Sequence, residues 1–222
     1  MADKNPKLGK QIKQVLIDND CESPIISEKN FGLTKEQQSI NINGCFTEIM
    51  TSLKLDLTND SLKDTPKRVA KMFVDEIFYG LDYDNFPKST VNPNDFRADE
   101  MVVTGGQVHS FCEHHFLPFY GTFKIAYIPA DKILGLSKFN RIVDFFARRP
   151  QVQERLIMQI FVALKEILGT ENVAVELTCE HHCVKSRGVM DSNSETSNTK
   201  LGGVFSSSAA TRAEFYSKKL KS

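Results

Sequence analysis

The sequence predicts an α+β fold: an antiparallel sheet with helices packed on one side, led by a helical N-terminal part. Three observations predict it. Helix start signals crowd the first eighty residues. Strand-like alternation begins only after residue 100. Two strongly amphipathic helix patterns then lie between strand runs, without the strict strand–helix alternation of a parallel sheet.

Residues 1–31 read as a variable extension in which Val15-Leu16-Ile17 fit a short helix, broken by Cys21-Glu22-Ser23-Pro24. The segment 32–222 reads as one domain, with a helical part over about 32–99 and a sheet-containing part over about 100–222. Thr34-Lys35-Glu36-Gln37 has capping-box spacing, so Thr34 caps a helix and Gln37 reaches back. Ile40, Phe46, Ile49, Met50 and Leu53 are its expected buried stripe, with Cys45 packed in the same helix core. Asp64-Thr65-Pro66 opens a second helix, with proline in the tolerated first turn. Val69, Met72, Phe73, Ile77 and Phe78 follow at helical spacing, and Gly80 is its expected stop. Residues 81–99 read as loop.

Met101–Thr104 and Thr122–Ile128 read as strands; in the second, Phe123, Ile125 and Tyr127 alternate with Lys124 and Ala126. Leu117–Gly121 reads as a turn. Gly135-Leu136-Ser137-Lys138 leads into a helix carrying Ile142, Val143, Phe145 and Phe146, for which Ser137 is a candidate N-cap. Pro150 opens a helix with Val152, Leu156, Ile160, Leu164 and Leu168 on one face, and Gly169 ends it. Val173–Cys183 reads as a strand and Met190–Lys200 as an exposed polar loop. Ser208 caps a last helix through Phe215.

Composition narrows the function. The chain has 222 residues, 28 Lys+Arg and 28 Asp+Glu, so its formal net charge is zero. Neither nucleic acid nor an anionic membrane is an expected partner, although a local basic pocket is compatible with that balance. No apolar run approaches the roughly 20 residues that span a bilayer. The N-terminus is polar with no signal-peptide core, so the expected location is cytoplasmic. In a reducing compartment, clustered Cys and His point to metal binding or catalysis rather than to disulfides.

That cluster takes an unusual form. Cys-Glu-His-His occurs at 112–115 and again at 179–182, and all five histidines lie in or near these two copies. In the first copy, Cys112 and His115 are spaced to bite one metal where the chain turns, and zinc accepts thiolate and imidazole. The second copy ends a strand pattern. There Cys179, His181 and Cys183 share one face, and Glu180 and His182 share the other. Cys179 and Cys183 lie about 13 Å apart in an extended strand, so only one of them joins a common ion unless the chain bends. Spacing does not choose between them. Lys185 and Arg187 follow Cys183, and such cations suit a site that handles an anion better than a structural zinc site with four protein ligands.

The longer motifs add a resemblance. DTPKRVAKMF at 64–73, SFCEHHFLPFYG at 110–121, GLSKFNRIV at 135–143, RRPQVQERL at 148–156, HCVKSRGV at 182–189 and LGGVF at 201–205 occur in order. With these motifs the chain resembles GTP cyclohydrolase I, the zinc-dependent enzymes that convert GTP to 7,8-dihydroneopterin triphosphate and formate at the start of pterin and folate synthesis. The resemblance implies a tunnel-type barrel closed by oligomerisation, in a toroidal homodecamer with active sites between subunits. It implies Zn2+ held by Cys112, His115 and Cys183. It implies that His114 and His181 transfer protons and that Ser137 relays one near the ribose. Glu154, supported by Gln153, accepts the adjacent N–H donors of guanine. Arg68, Lys71, Lys138, Arg141 and Arg187 take the triphosphate. Cys179, His182, His109 and Cys45 match no role in the family. A structural zinc module, or another purine or pterin enzyme of the same tunnel class, is the competing reading.

Overall fold

A computed structural model describes residues 3–26 and 31–220. The expected extension 1–31 therefore lies partly outside the described residues. Its described part is a helix, α1 (Pro6–Asp18), with Asn5 capping its N-terminus. Ile12 and Leu16, four residues apart on one face, are fully buried in the main core.

Helix α2 (Lys35–Ser52) begins with the expected capping box between Thr34 and Gln37. Its expected stripe is not buried within the chain. Only Met50 is covered, whereas Ile40, Ile49 and Leu53 are half or more exposed and Cys45 is exposed. The reason is placement: α2 leans on α3 (Thr65–Lys71) and not on the sheet. Helix α3 continues into a π-helical turn at Met72–Ile77, in which Phe78 N donates to Phe73 O. Gly80 is not a helix stop. A Cβ there would meet Phe145 O at 2.1 Å, so glycine is needed for close approach of two backbones. Residues 81–99 are not all loop. Tyr83 and Phe86 are buried in the core, and β1 (Val91–Pro93) pairs with β4 (Lys132–Leu134).

The strands are longer than the apolar pattern predicted. β2 (Val102–Cys112) and β3 (Pro118–Tyr127) form one antiparallel hairpin, so residues 118–121 are strand and the turn is Glu113–Leu117. Gly121 is again a close approach, with Thr178 O at 1.9 Å from a Cβ placed there. Helix α4 (Leu136–Ala147) is capped by Gly135, which leaves Ser137 inside the first turn without a capping bond. Pro150 does not open the next helix: Pro150–Gln151 is a short strand, β5, parallel to the end of β2. Helix α5 (Gln153–Leu168) starts after it and ends at Gly169, whose φ of 65° is left-handed.

β6 (Val173–His181) stops two residues before the predicted end, and a helical turn, α6 (His182–Lys185), follows. The expected polar loop contains an edge strand, β7 (Thr196–Leu201), whose exposed polar residues hide its alternation. The sheet order is β5-β2-β3-β6-β7. Phe123, Ile125, Val175 and Leu177 face α4, α5 and α1 in the main core. Helices α7 (Val204–Ser207) and α8 (Ala209–Ser217) follow, with Ser208 capping α8 as expected. Helices do not occupy one side only. Phe205 and Phe215 pack on Ala126 and Ala174, which point away from the main core.

Candidate functional site

The candidate metal centre is built on the β2–β3 turn. Cys112 N donates to Leu117 O (2.8 Å), Phe116 N donates to Cys112 O (2.9 Å), and Phe116 takes a positive φ of 53°. This tight closure puts His114 Nδ1 and His115 Nδ1 at 3.7 and 3.9 Å from Cys112 Sγ. The tip is held from outside by rings: Phe116 packs edge-on against Phe73 of the π-helical turn and Phe78 just after it. It is held from below by an ion pair, in which Arg155 on α5 grips both carboxylate oxygens of Glu113. That grip holds the Glu113 carboxyl below the usual carboxylate range.

The chain supplies the third donor by bending. Where β6 ends at His181, α6 turns Cys183 toward the hairpin. The donor atoms of Cys112, His115 and Cys183 all lie within 4.8 Å of one another. Donors at zinc bond lengths in a tetrahedron sit roughly 3.5–3.8 Å apart, so a small inward shift closes the set. Two thiols and an imidazole fit zinc by chemistry as well as by spacing. Burial, and then the neighbouring Cys112 side chain, raise the Cys183 thiol pKa; a cation between the sulfurs opposes both effects. Cys179 is not part of this group. It is fully buried in the core, and burial followed by the charge of Glu195 pushes its pKa up to about 12.

His181 stands beside this centre. Its ring stacks on Phe119 at 4.6 Å, and Nε2 donates to Gln153 Oε1 at 2.7 Å. The Gln153 amide is spent on Leu177 O and Thr196 O, so its carboxamide is locked. Within the chain Gln153 orients His181, a link that sequence spacing did not reveal. Burial lowers the His181 pKa below its ordinary value, with the charge of Glu154 opposing. Glu154 itself is exposed in the first turn of α5. Arg187 Nη1 donates to His115 Nε2 at 2.9 Å.

The other predicted residues stand on α3 and α4. Lys71 and Arg141 line a cavity of about 710 Å3, joined there by Lys4 and Lys35. This is the local basic pocket that the balanced total charge allowed. Two carboxylates, Asp75 and Asp144, also line it, and Asp144 is engaged by Tyr79 OH and Arg148. Arg68 is exposed, 4.0 Å from Asp64. Ser137 and Lys138 open α4, whereas Ser110 Oγ bonds Ala147 O at its other end, beside the hairpin (2.8 Å). Ten residue steps along α4 separate Ser137 from Ala147, about 15 Å. Ser137 thus sits at the end of α4 away from the Ser110–Ala147 contact.

Comparison with known proteins decides the family. The family model described as GTP cyclohydrolase I matches residues 42–219. The chain belongs to the GTP cyclohydrolase I family. Among its relatives, GTP cyclohydrolase 1 of Tolumonas auensis is 54% identical over 208 residues, covering 93% of this chain and 95% of the relative. That of Shewanella denitrificans is 54% identical over 206 residues, covering 92% and 94%. That of Yersinia pseudotuberculosis is 51% identical over 210 residues, covering 94% of each. Such coverage reaches into the segment 1–31, where the sequence alone offered no family motif. A solved structure, archaeosine synthase QueF-Like in the apo form, is 18% identical; the match covers 46% of this chain and 93% of that one, with a TM-score of 0.36. That likeness is too slight to bear on fold or chemistry.

Proposed function

We propose that this chain is a zinc-dependent GTP cyclohydrolase, which hydrolyses GTP at C8, releases formate and forms 7,8-dihydroneopterin triphosphate. The observation that carries this reading is the convergence of Cys112, His115 and Cys183, with His114 and the His181–Gln153 pair beside them. The GTP cyclohydrolase 1 relatives supply the reaction class.

Hydrolysis breaks both C–N bonds of C8. The carbon leaves as formate, and N7 and N9 gain protons. Zinc, when bound by Cys112, His115 and Cys183, supplies the Lewis acidity that lets water react near neutral pH. His114 is assigned to proton transfer near N7. His181 assists the hydrolysis and later steps, its ring held by Gln153 and Phe119. Glu154 accepts the adjacent N1–H and N2–H of guanine. Ser137 relays a proton near the ribose. The triphosphate is met by Arg68, Lys71, Lys138, Arg141 and Arg187, with Arg suited to forked contacts and Lys to point charge.

We read these residues as one site shared between chains of a homo-oligomer, the toroidal decamer with sites between subunits. The separation of Ser137 from the hairpin supports sharing, as do the exposed Ile40, Ile49 and Leu53 of α2. A structural zinc module fits less well. It calls for four protein ligands, and three converge among the described residues. Among those residues no helix is long and apolar enough to cross a membrane.

The test is formate release from GTP by purified protein, with chelator and then zinc add-back. Zinc-restorable formate with a new pterin fluorescence supports the reading. A folded, zinc-loaded protein that releases none refutes it.

A further inference from the structure

The N-terminal segment is wired to the metal hairpin by buried polar groups that the proposed chemistry does not use. Gln159 on α5 is fully buried. Its Nε2 donates to Cys21 O (2.9 Å) and Ser23 Oγ (3.0 Å), and its Oε1 accepts from Gln151 Nε2 (2.8 Å). Gln151, also fully buried, donates to Phe146 O (2.9 Å). In the β2–β5 register Gln151 lies opposite Cys112, and its carbonyl accepts from Glu113 N at 2.9 Å. Two side chains thus connect Ser23 to the residue after a metal ligand.

A second tie runs beside the first. Arg149 is fully buried, with its guanidinium within 5.2 Å of the ring centroids of Tyr83, Phe145 and Phe146. Its Nη1 reaches Glu22 Oε1 and Ser23 Oγ, each at 3.4 Å, and its Nη2 donates to Gly80 O. Tyr83 OH closes the loop on Glu22. Core satisfaction alone does not need this route: an apolar contact would cover the same surface without a buried ion pair. What directional bonds add is position. They act next to β5, which pairs with the end of β2 at Phe111 and Cys112.

We propose that Ser23, Gln159 and Gln151 form a positioning relay through which the N-terminal segment holds Cys112 and His115 in metal-binding geometry. The relay rests on the reading of Cys112, His115 and Cys183 as zinc ligands. It makes residues 21–23 part of the site's support, although they touch no reacting atom.

The test uses the full-length assembled protein and zinc itself, with affinity read by competition against a chromogenic chelator. Gln159→Leu keeps the side-chain bulk and removes every bond of the relay at that point. It is expected to weaken zinc binding about tenfold, the lower end for groups that orient metal ligands. It should also shift the absorption bands of the cobalt-substituted protein. Ile12→Val is the control, because it loosens the same α1–core contact without touching the relay, and zinc affinity should then stay at the wild-type value. Ser23→Ala reads the same relay if Gln159→Leu fails to fold, and Ser23→Thr, which keeps the hydroxyl, should restore affinity. Wild-type zinc affinity in Gln159→Leu or Ser23→Ala overturns the relay, as does equal weakening in Ile12→Val. No zinc uptake by the wild type overturns relay and ligand set together. Zinc uptake without formate release from GTP overturns the reaction alone, and the relay is still judged by affinity.

Discussion

The two Cys-Glu-His-His copies have the same spelling and different physical roles. The first lies across the end of β2, where hydrogen bonds from Cys112 N and to Cys112 O close the chain on itself. Closure brings Cys112, His114 and His115 to one place. The second runs along β6 and out of it. Cys179 points into the core opposite Gly121, and His181 stacks on Phe119 on the same face. His182 bonds Tyr120 OH from the other face (2.9 Å). The thiol that meets the donors of the hairpin is Cys183, one residue beyond the copy, where a helical turn replaces the strand. Ligand sets are made by the path of the backbone, and a repeated tetrapeptide on two different paths makes two different things.

The sharpest way to break this comparison is to exchange the roles of the two thiols. Cys183→Ser should remove stoichiometric zinc and lower formate release at least about a hundredfold, since even outer-shell changes cost 10- to 100-fold. Metal analysis and a formate assay check both. A Cys183→Ser protein that keeps zinc while Cys179→Ser loses it would reverse the assignment. Sharing between chains is tested by mixing. Cys183→Ser and Ser137→Ala chains, each inactive alone, should regain measurable activity after co-refolding if one chain supplies the metal hairpin and another supplies Ser137. Gln153→Leu should leave zinc content unchanged and lower kcat by about ten- to a hundredfold, because His181 loses the acceptor that orients it.

Smaller effects belong to the second copy. Cys179→Ser buries a hydroxyl at a fully covered position, so it should cost about 1–3 kcal/mol of stability by denaturant titration while zinc stays bound. Thiol alkylation should rank the cysteines by exposure and acidity. Exposed Cys45 reacts first. Cys179 and Cys21, whose pKa values burial raises to about 12 and about 11, react only on unfolding. Mass mapping of the modified sites reads the order.

Local signals were legible where the physics is local. The Thr34–Gln37 capping box, the Ser208 cap and the Gly169 stop all stand where the sequence placed them. Readings failed where a distant partner decides. Ile40, Ile49 and Leu53 have helical spacing but no cover within one chain. Gly80 and Gly121 resemble stop and turn signals, yet each is dictated by a backbone from elsewhere in the chain. β7 pairs through its backbone, and its polar side chains do not advertise that.

The sequence by itself determined the chemistry on offer: two thiols and an imidazole for zinc, two further histidines, a carboxylate and paired cations, set in motifs that name a family. It left Cys179 and Cys183 equivalent, because side-chain periodicity along an extended chain puts both on one face. Family resemblance pointed to Cys183, but the physical separation of the two thiols is tertiary: β6 ends at His181 and Cys183 turns toward the hairpin. The tertiary structure alone also showed Gln153 holding His181, and Gln159 tying Ser23 to Gln151. Those links join residues far apart in sequence. Hydrogen bonds between them depend on positions in space, which no local pattern of residues encodes.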